Sequence, residues 1–195
     1  CRIDRLGQAA SVIHRKTGRE TLAGTGNKLL LYKDVNTCYD AWELGNMYEK
    51  MPVALENNAQ ITMLEEESGP ILMIKKQLHD SILRQIVWLR PDAQQIEFHT
   101  VIDWQEKHKL LKVAFPVNVY ANEAYHETQF GYVKRPVHRS YQTDKDRYEV
   151  CNHRYTALTD QGHGCAVLND CKYGVSTEGS TISLTLLRAA AAPEM

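Results

Sequence analysis

No extended apolar segment occurs in this sequence. Its longest apolar stretches, residues 29–32 and residues 82–89 with Arg84 inside, are far shorter than the roughly 20 residues that a transmembrane helix needs. We therefore expect neither a membrane span nor a membrane anchor.

Neither sign of charge is in excess. Lys and Arg number 23 against 24 Asp and Glu, which gives a formal net charge of −1. Such a chain has no bulk attraction to polyanions or acidic membranes, so nucleic acid is not an expected partner. The hydrophobic fraction of 43% and the charged fraction of 24% are typical of a globular protein.

Cysteines are few, odd in number and irregularly spaced: Cys1, Cys38, Cys151, Cys165 and Cys171. A chain of 195 residues buries roughly 70% of its unfolded surface on folding, so it does not need crosslinks for stability. We predict free, unreactive thiols and a reducing compartment, the cytoplasm.

A metal site is the first alternative for these cysteines, because Cys151, His153, His163, Cys165 and Cys171 are close in sequence. Structural zinc sites usually pair their ligands as C-x₂₋₄-C or H-x₃₋₅-H. Here each His–Cys pair is separated by a single residue, which matches no standard zinc site. We expect no metal in this chain.

Hydrophobicity alternates with a period of two, which is typical of half-buried strands. Residues 96–104 and 111–119 show the clearest alternation, and the polar break at residues 106–109 predicts a hairpin between them. Pro116 inside the second run predicts that this strand lies at an edge or is bulged there. A further hairpin is predicted around residues 16–18, with Gly18 in the turn.

Other predicted strands lie at residues 61–64, 71–78, 81–89, 124–130, 165–168 and 182–187. No segment of a dozen residues has a convincing helical period. Short strands without helices between them favour antiparallel sheets stacked as a sandwich. We predict an all-β fold, with residues 1–195 forming one β-sandwich domain.

Two segments between the predicted strands carry candidate binding residues. Residues 39–51 include Tyr39, Asp40, Trp42 and Glu43, and residues 131–146 are predicted to be a long loop with Tyr132, Arg135, His138 and Arg139. Aromatic rings together with carboxylates and guanidinium groups are suited to binding sugars. The residues alone therefore favour a carbohydrate-binding surface.

The sequence carries no specific catalytic signature. No G-x-S-x-G motif and no phosphate-binding glycine loop occurs in the sequence. Carboxyl pairs for glycoside hydrolysis cannot be chosen from sequence among the available candidates, which are Asp40, Glu43, Glu49, Asp144, Asp146 and Asp170.

Six ordered blocks together resemble one enzyme family. They are DAWE (40–43), WLRP (88–91), VIDWQEKHKLLKVAFPV (101–117), QFGYVKRPVHR (129–139), LNDCKYG (168–174) and LLR (186–188). This succession resembles the C-terminal region of glycoside hydrolase family 38 α-mannosidases, and is most similar to the bacterial and cytosolic branch.

The resemblance implies a large antiparallel β sandwich of the galactose-mutarotase-like supersandwich type, following a β/α catalytic domain and a helix bundle that this chain lacks. It implies that the intact enzyme hydrolyses terminal α-mannosides with retention, and that zinc and its ligands lie in the missing part. No cofactor and no catalytic residue is expected in this chain, which alone would be inactive. Its partners would be its own N-terminal catalytic domain and an α-mannoside.

The same resemblance implies a role for this domain in bracing the catalytic domain and contributing to the rim of the substrate cleft. The residues expected to reach substrate are Asp170, Lys172 and Arg188, followed by Arg135 and His138. Asn169 and Asp170 are alternatively turn formers. A stand-alone carbohydrate-binding or mutarotase-like module is the alternative function, and an exposed apolar face could also lead to homo-oligomers.

Overall fold

Strands form nearly all of the regular structure. The computed structural model describes residues 1–36, 39–56, 58–67 and 69–191. In chain order the strands are β1 (Arg2–Ile3), β2 (Ala9–Ser11), β3 (Ile13–His14), β4 (Arg19–Glu20), β5 (Lys28–Lys33), β6 (Pro52–Val53), β7 (Gln60–Glu66), β8 (Gly69–Leu78), β9 (Ser81–Trp88), β10 (Glu97–Asp103), β11 (Lys109–Pro116), β12 (Glu123–Thr128), β13 (Gly131–Pro136), β14 (Val150–Cys151), β15 (Tyr155–Thr159), β16 (Gly164–Leu168), β17 (Gly174–Glu178) and β18 (Thr181–Arg188).

Helical structure within the described ranges is limited to two short elements. A 3₁₀ helix spans Asn46–Lys50, and helix α1 spans Gln142–Lys145. Neither approaches the length and apolar character of a membrane-spanning helix. The prediction of an all-β fold is confirmed.

Three larger sheets are built entirely from antiparallel pairs. The six-stranded sheet has the order β14-β17-β18-β11-β5-β6, the first four-stranded sheet β10-β9-β8-β7, and the second β13-β12-β15-β16. β1 with β2 and β3 with β4 form two small ribbons. The β3–β4 hairpin with Gly18 at φ 69° confirms the turn predicted at residues 16–18.

The core lies where one face of the six-stranded sheet meets the two four-stranded sheets. One buried apolar cluster includes Leu111 and Leu184 of the six-stranded sheet, Leu83 of the first four-stranded sheet, and Ala124 and Leu158 of the second. Burying a side chain of leucine size contributes about 1.5–3 kcal/mol. This layered packing confirms the predicted antiparallel sandwich.

The hairpin predicted at residues 106–109 is wrong. β10 pairs with β9, whereas β11 pairs with β5 and β18 in another sheet, so the segment is a crossover between sheets. Its Glu106 is 6% exposed and accepts hydrogen bonds from the Asp80 backbone amide, the Ser81 hydroxyl and the Lys109 ammonium. The polar residues at this position therefore include a buried carboxylate that accepts several hydrogen bonds, and they do not form an exposed hairpin turn.

Two further predictions are corrected. β11 is a central strand, and Pro116 is its last residue, where the missing amide hydrogen interrupts no ladder. Residues 131–146 are not one long loop, because β13 pairs with β12 over its whole length and α1 follows. The charged and aromatic residues of that segment concealed a strand at the edge of its sheet.

Candidate functional site

The face of the six-stranded sheet that points away from the core is polar. Side chains alternate between faces along a strand, and here an irregularity changes the alternation. Leu110 pairs with Arg188 and Lys112 with Thr185, so two steps along β11 correspond to three along β18. Leu186 is the extra residue of this β-bulge. The bulge returns Arg188 to the polar face that also carries Thr185.

Glu149, which directly precedes β14, connects the buried polar groups on this face. Its carboxylate accepts hydrogen bonds from the Lys112 ammonium, the Thr185 hydroxyl and, at 3.2 Å, the Tyr48 hydroxyl. Lys112 is only 1% exposed, and burial lowers its pKa while Glu149 opposes that shift. Burial also raises the pKa of Tyr48. The network keeps the buried charge of Lys112 paired with a hydrogen-bonded carboxylate.

Beside this network lies a cavity of about 460 Å³, which we term the polar cavity. Its floor is formed by side chains of β17 and β18, Ser176, Thr181 and Ser183. Ser176 and Ser183 are directly opposite each other in the β17–β18 ladder.

The walls of the polar cavity are formed by Lys112, Tyr32 and Tyr48. The rings of Tyr32 and Tyr48 make an edge-to-face contact, with centroids 5.2 Å apart. This contact packs the 3₁₀ helix over the sheet.

Arg139 closes the polar cavity on the side of the 3₁₀ helix. Its Nη1 and Nη2 donate to the two carboxylate oxygens of Glu49 at 2.6 Å each, a bidentate pair. Nη2 also lies 3.7 Å from the Glu178 carboxylate. The cavity therefore combines hydroxyls, two carboxylates and two cations. Of its lining residues, sequence analysis had singled out Arg139 for sugar binding and Glu49 as a candidate catalytic carboxylate.

Arg188 holds the segment that follows β5 against the sheet. Its Nε donates to Asp34 Oδ2 at 2.5 Å, and its Nη2 donates to the carbonyls of Asp40, at 2.6 Å, and Glu43. This leaves Trp42 75% exposed on the segment that Arg188 fixes. The guanidinium of Arg188 thus acts within the chain as a positioning group.

Asp170 and Lys172 lie in the connection between β16 and β17. The Asn169 side chain accepts a hydrogen bond from the Lys172 amide at 2.7 Å, which is the turn-forming role predicted for Asn169. The hydrogen bond from Cys171 lowers the pKa of Asp170. β17 and β18 are antiparallel, so this connection lies at the same end of the sheet as Arg188.

Arg135 and His138 lie elsewhere. The Val137 carbonyl accepts from the Gly179 amide, so this segment adjoins the β17–β18 turn, which is about 24 Å from Arg188 along β18. His138 Nδ1 lies 3.0 Å from the Ser140 hydroxyl. The five residues predicted to reach substrate therefore fall into two groups at opposite ends of the sheet.

The charge of Arg135 acts on a buried histidine, His126, that sequence analysis did not select. His126 is 0% exposed, and its Nδ1 lies 3.2 Å from the Thr156 hydroxyl. Neither His126 Nε2 nor Arg135 Nη1 has a hydrogen-bond partner among the described residues. Burial, and to a smaller extent the positive charge of Arg135, lower the pKa of His126 to about 4.

Sequence analysis also missed Lys112, Glu149 and Tyr48. One weak signal was available: Lys112 is flanked by Leu110, Leu111 and Val113, and a lysine buried in such a strand would need an anionic partner. The sequence could not identify that partner, because Glu149 lies far along the chain and is brought close only by the sheet order.

The candidate metal ligands do not converge. Cys151 is in β14 and Cys165 in β16, which belong to different sheets. Among the described residues no group of three or more His, Cys, Asp or Glu side chains is arranged to hold a metal ion. Cys1, Cys151, Cys165 and Cys171 have free thiols, and Cys38 lies outside the described residues.

The family model of the glycosyl hydrolases family 38 C-terminal domain matches residues 1–195. Alpha-mannosidase 2C1 of Homo sapiens is 37% identical over 201 residues, which cover 99% of this chain and 19% of that protein. Alpha-mannosidase of Saccharomyces cerevisiae is 31% identical over 186 residues, covering 91% of this chain and 17% of that protein. The chain thus spans less than one fifth of these relatives.

Solved structures show the same fold. A family 38 glycosyl hydrolase from Enterococcus faecalis superposes with a TM-score of 0.76 at 15% sequence identity, covering 96% of this chain and 25% of that one. An alpha-mannosidase from Enterococcus faecalis V583 superposes with a TM-score of 0.74. The expected supersandwich fold is therefore confirmed at the level of architecture.

Replacing Arg188 with lysine should release the Trp42 segment, because an ammonium cannot bond Asp34 and two carbonyls in the same planar geometry. We expect backbone hydrogen exchange in residues 39–45 to accelerate about tenfold, with a loss of about 1–3 kcal/mol in the free energy of unfolding. Hydrogen exchange with mass spectrometry measures the first effect. Arg84→Lys, at an exposed position of β9, is the control, and equal exchange in both variants would contradict the positioning role.

Stability should fall in mild acid because of His126. Its pKa is about 4 when folded against an ordinary value of 6.5, so the unfolded chain binds the proton first as the pH drops. The contribution is complete above pH 6.5 and is lost as the pH falls towards 4, amounting to about 2 kcal/mol between pH 7 and pH 5.

The measurement is urea unfolding at several pH values. In His126→Gln this part of the pH dependence should disappear, whereas His14→Gln, at an exposed position, should retain it. The same dependence in both variants would show that His126 does not carry it.

Proposed function

Because the chain belongs to glycoside hydrolase family 38, as its C-terminal domain, we propose that it is the β domain of a cytoplasmic, zinc-dependent enzyme that hydrolyses terminal α-mannosides with retention. Within that enzyme it braces the catalytic domain and contributes to the rim of the substrate cleft. The observation that carries the proposal is the family match over the whole chain, with relatives that are themselves α-mannosidases.

The chemistry of this chain supports an accessory role. Retaining hydrolysis uses two carboxyl groups about 5–5.5 Å apart, of which one attacks the sugar and the other donates a proton. Two of the three carboxylates described near the polar cavity are engaged in ion pairs, Glu149 with Lys112 and Glu49 with Arg139. The third, Glu178, is exposed and has no second free carboxyl group beside it among the described residues of the cavity lining. The described residues also do not fit a zinc centre, so the zinc of the proposed enzyme would be held by residues outside this chain.

The outer face of the first four-stranded sheet supports the bracing role. Met73 and Ile86 are directly opposite each other on this face and are 42% and 39% exposed, with Leu64 and Val101 also exposed nearby. All residues of β7 are exposed. Exposed apolar side chains grouped on one face of a sheet are typical of an interface. Since the relatives are about five times longer than this chain, we assign the catalytic part of the same polypeptide as the occupant.

The rim role is supported by the end of the six-stranded sheet that carries Arg188. There the exposed Trp42 is held by Arg188, and Asp170 and Lys172 lie at the same end. An exposed aromatic ring and charged groups at one end of a sheet suit the edge of a sugar site. Arg135 and His138 at the opposite end would have to meet a different part of the substrate.

The intact protein that contains this chain should hydrolyse an aryl α-mannoside and release α-mannose first, while the 195-residue chain alone shows no turnover. Chelation should abolish hydrolysis, and added zinc should restore it. Release of the aryl group and the anomer seen by NMR are the two measurements, with an aryl β-mannoside as control. Turnover by this chain alone, or β-mannose as the first product, would overturn the proposal.

The bracing face can be tested in the intact protein with Met73→Asp and Ile86→Asp together. If the face is covered by the catalytic part, two carboxylates in that contact should lower the free energy of unfolding by at least about 3 kcal/mol and reduce activity. Thermal unfolding and hydrolysis rates measure this. Leu168→Asp, at an exposed position of β16, is the matched control.

Unchanged stability and activity would show that the face is free. A wild-type dimer that the two substitutions convert to an active monomer would show that a second copy covers it. Either result contradicts the bracing assignment.

A further inference from the structure

We propose that the polar cavity on the six-stranded sheet is a binding site for one neutral sugar residue. The assignment of a neutral polyhydroxyl ligand depends on the cavity alone. The choice of mannose as that sugar rests on the proposed function.

The first argument is the supply of unengaged hydroxyl groups. Ser176, Thr181, Ser183 and Tyr32 line the cavity, and within the described ranges none of their hydroxyls makes a side-chain hydrogen bond to the protein. Each of these hydroxyls can donate one hydrogen bond and accept others. A sugar presents hydroxyls of the same double character, so a row of such groups is matched to it.

The second argument is the charge balance of the lining. Lys112 and Arg139 are balanced by Glu49 and Glu178, so the lining carries no net charge. Lys112 is engaged by Glu149, and Arg139 holds Glu49 with both terminal nitrogens. No unpaired cation is available among the described lining residues to bind a phosphate or carboxylate ligand, and the negative charge of Glu178 would repel such a ligand. An uncharged ligand meets no such repulsion.

The third argument is Glu178 itself. Its side chain is 68% exposed and lies 3.7 Å from Arg139, which is too long for a hydrogen bond. A carboxylate has two oxygens that accept hydrogen bonds, and it can therefore accept from two neighbouring hydroxyls of one sugar ring. Glu178 extends from the strand position opposite Thr181, at the edge of the hydroxyl floor.

The size and rigidity of the cavity fit this ligand. Its volume of about 460 Å³ lies within the usual range for small-molecule sites, roughly 300–1,000 Å³. The floor belongs to a hydrogen-bonded ladder, and the opposite side is fixed by the Arg139–Glu49 pair and the Tyr32–Tyr48 contact. When the side chains of a site are already in place, little binding free energy is lost in ordering them.

The test is a calorimetric titration of the intact protein with methyl α-mannopyranoside, comparing wild type with the double variant Ser176→Ala and Ser183→Ala. The two hydroxyls have no protein partner among the described residues, so the double variant should keep the wild-type melting temperature. It should bind the sugar at this site about tenfold more weakly. Ser180→Ala, in the adjoining turn, is the matched control and should bind as wild type.

A second variant addresses the carboxylate. Glu178→Gln keeps the size of the side chain but weakens acceptance from sugar hydroxyls, and it should also reduce affinity for the sugar. Inorganic phosphate, titrated in the same way, should show no saturable binding at this cavity. Phosphate binding that the cavity substitutions abolish would overturn the neutral-sugar assignment.

Sugar binding that is absent, or that is unaffected by the double variant, would also overturn it. These results are separate from the test of the proposed function. If the protein hydrolyses aryl α-mannosides but the double variant binds the sugar as tightly as wild type, the proposed function stands and the proposed site is wrong. If the protein binds the sugar through these serines but hydrolyses no α-mannoside, the neutral-sugar site stands and the mannosidase assignment is wrong.

Discussion

The pairing of β11 with β18 is the constraint on which the rest of the molecule depends. These two central strands contribute Leu111 and Leu184 to the core on one face and Lys112 and Thr185 to the polar network on the other. The extra residue Leu186 lets Leu187 stay with the core while Arg188 returns to the polar face. Without that bulge the ordinary alternation would turn Arg188 towards the core, where it could not reach Asp34 and the carbonyls of the Trp42 segment.

The buried charges on the polar face follow from the same geometry. Removing a lysine from water is costly unless an anion and further hydrogen bonds compensate. Glu149 supplies both, because its carboxylate also accepts from Thr185 and Tyr48. Tyr48 in turn packs on Tyr32 and so fixes the 3₁₀ helix from which Glu49 reaches Arg139. One buried ion pair therefore stabilises the position of the elements that line the polar cavity.

The sequence predicted the parts of the fold that depend on local pattern. The alternation in β8, β9, β10 and β18 located those strands closely, and Gly18 located a turn. Prediction failed where a local signal has two meanings. The polar residues 106–109 suggested a solvent-exposed turn, but Glu106 is buried and satisfied by groups from the β8–β9 hairpin. β13 was missed because an edge strand needs little apolar alternation when one of its faces is exposed to water.

The residue order alone determined the fold class, the antiparallel strands and the family, because these follow from short-range periodicity and from short sequence blocks whose succession resembles one family. The order of the strands in each sheet, and the end of the sheet at which each candidate residue lies, were decided only by the tertiary structure. Folding brought Asp170 and Lys172 to the end of the sheet that carries Arg188, and it put Arg135 and His138 at the other. It also brought Glu149 to Lys112 and brought together the residues that line the polar cavity. The physical reason is that such contacts join residues far apart in the chain, and no local pattern records which strands become neighbours.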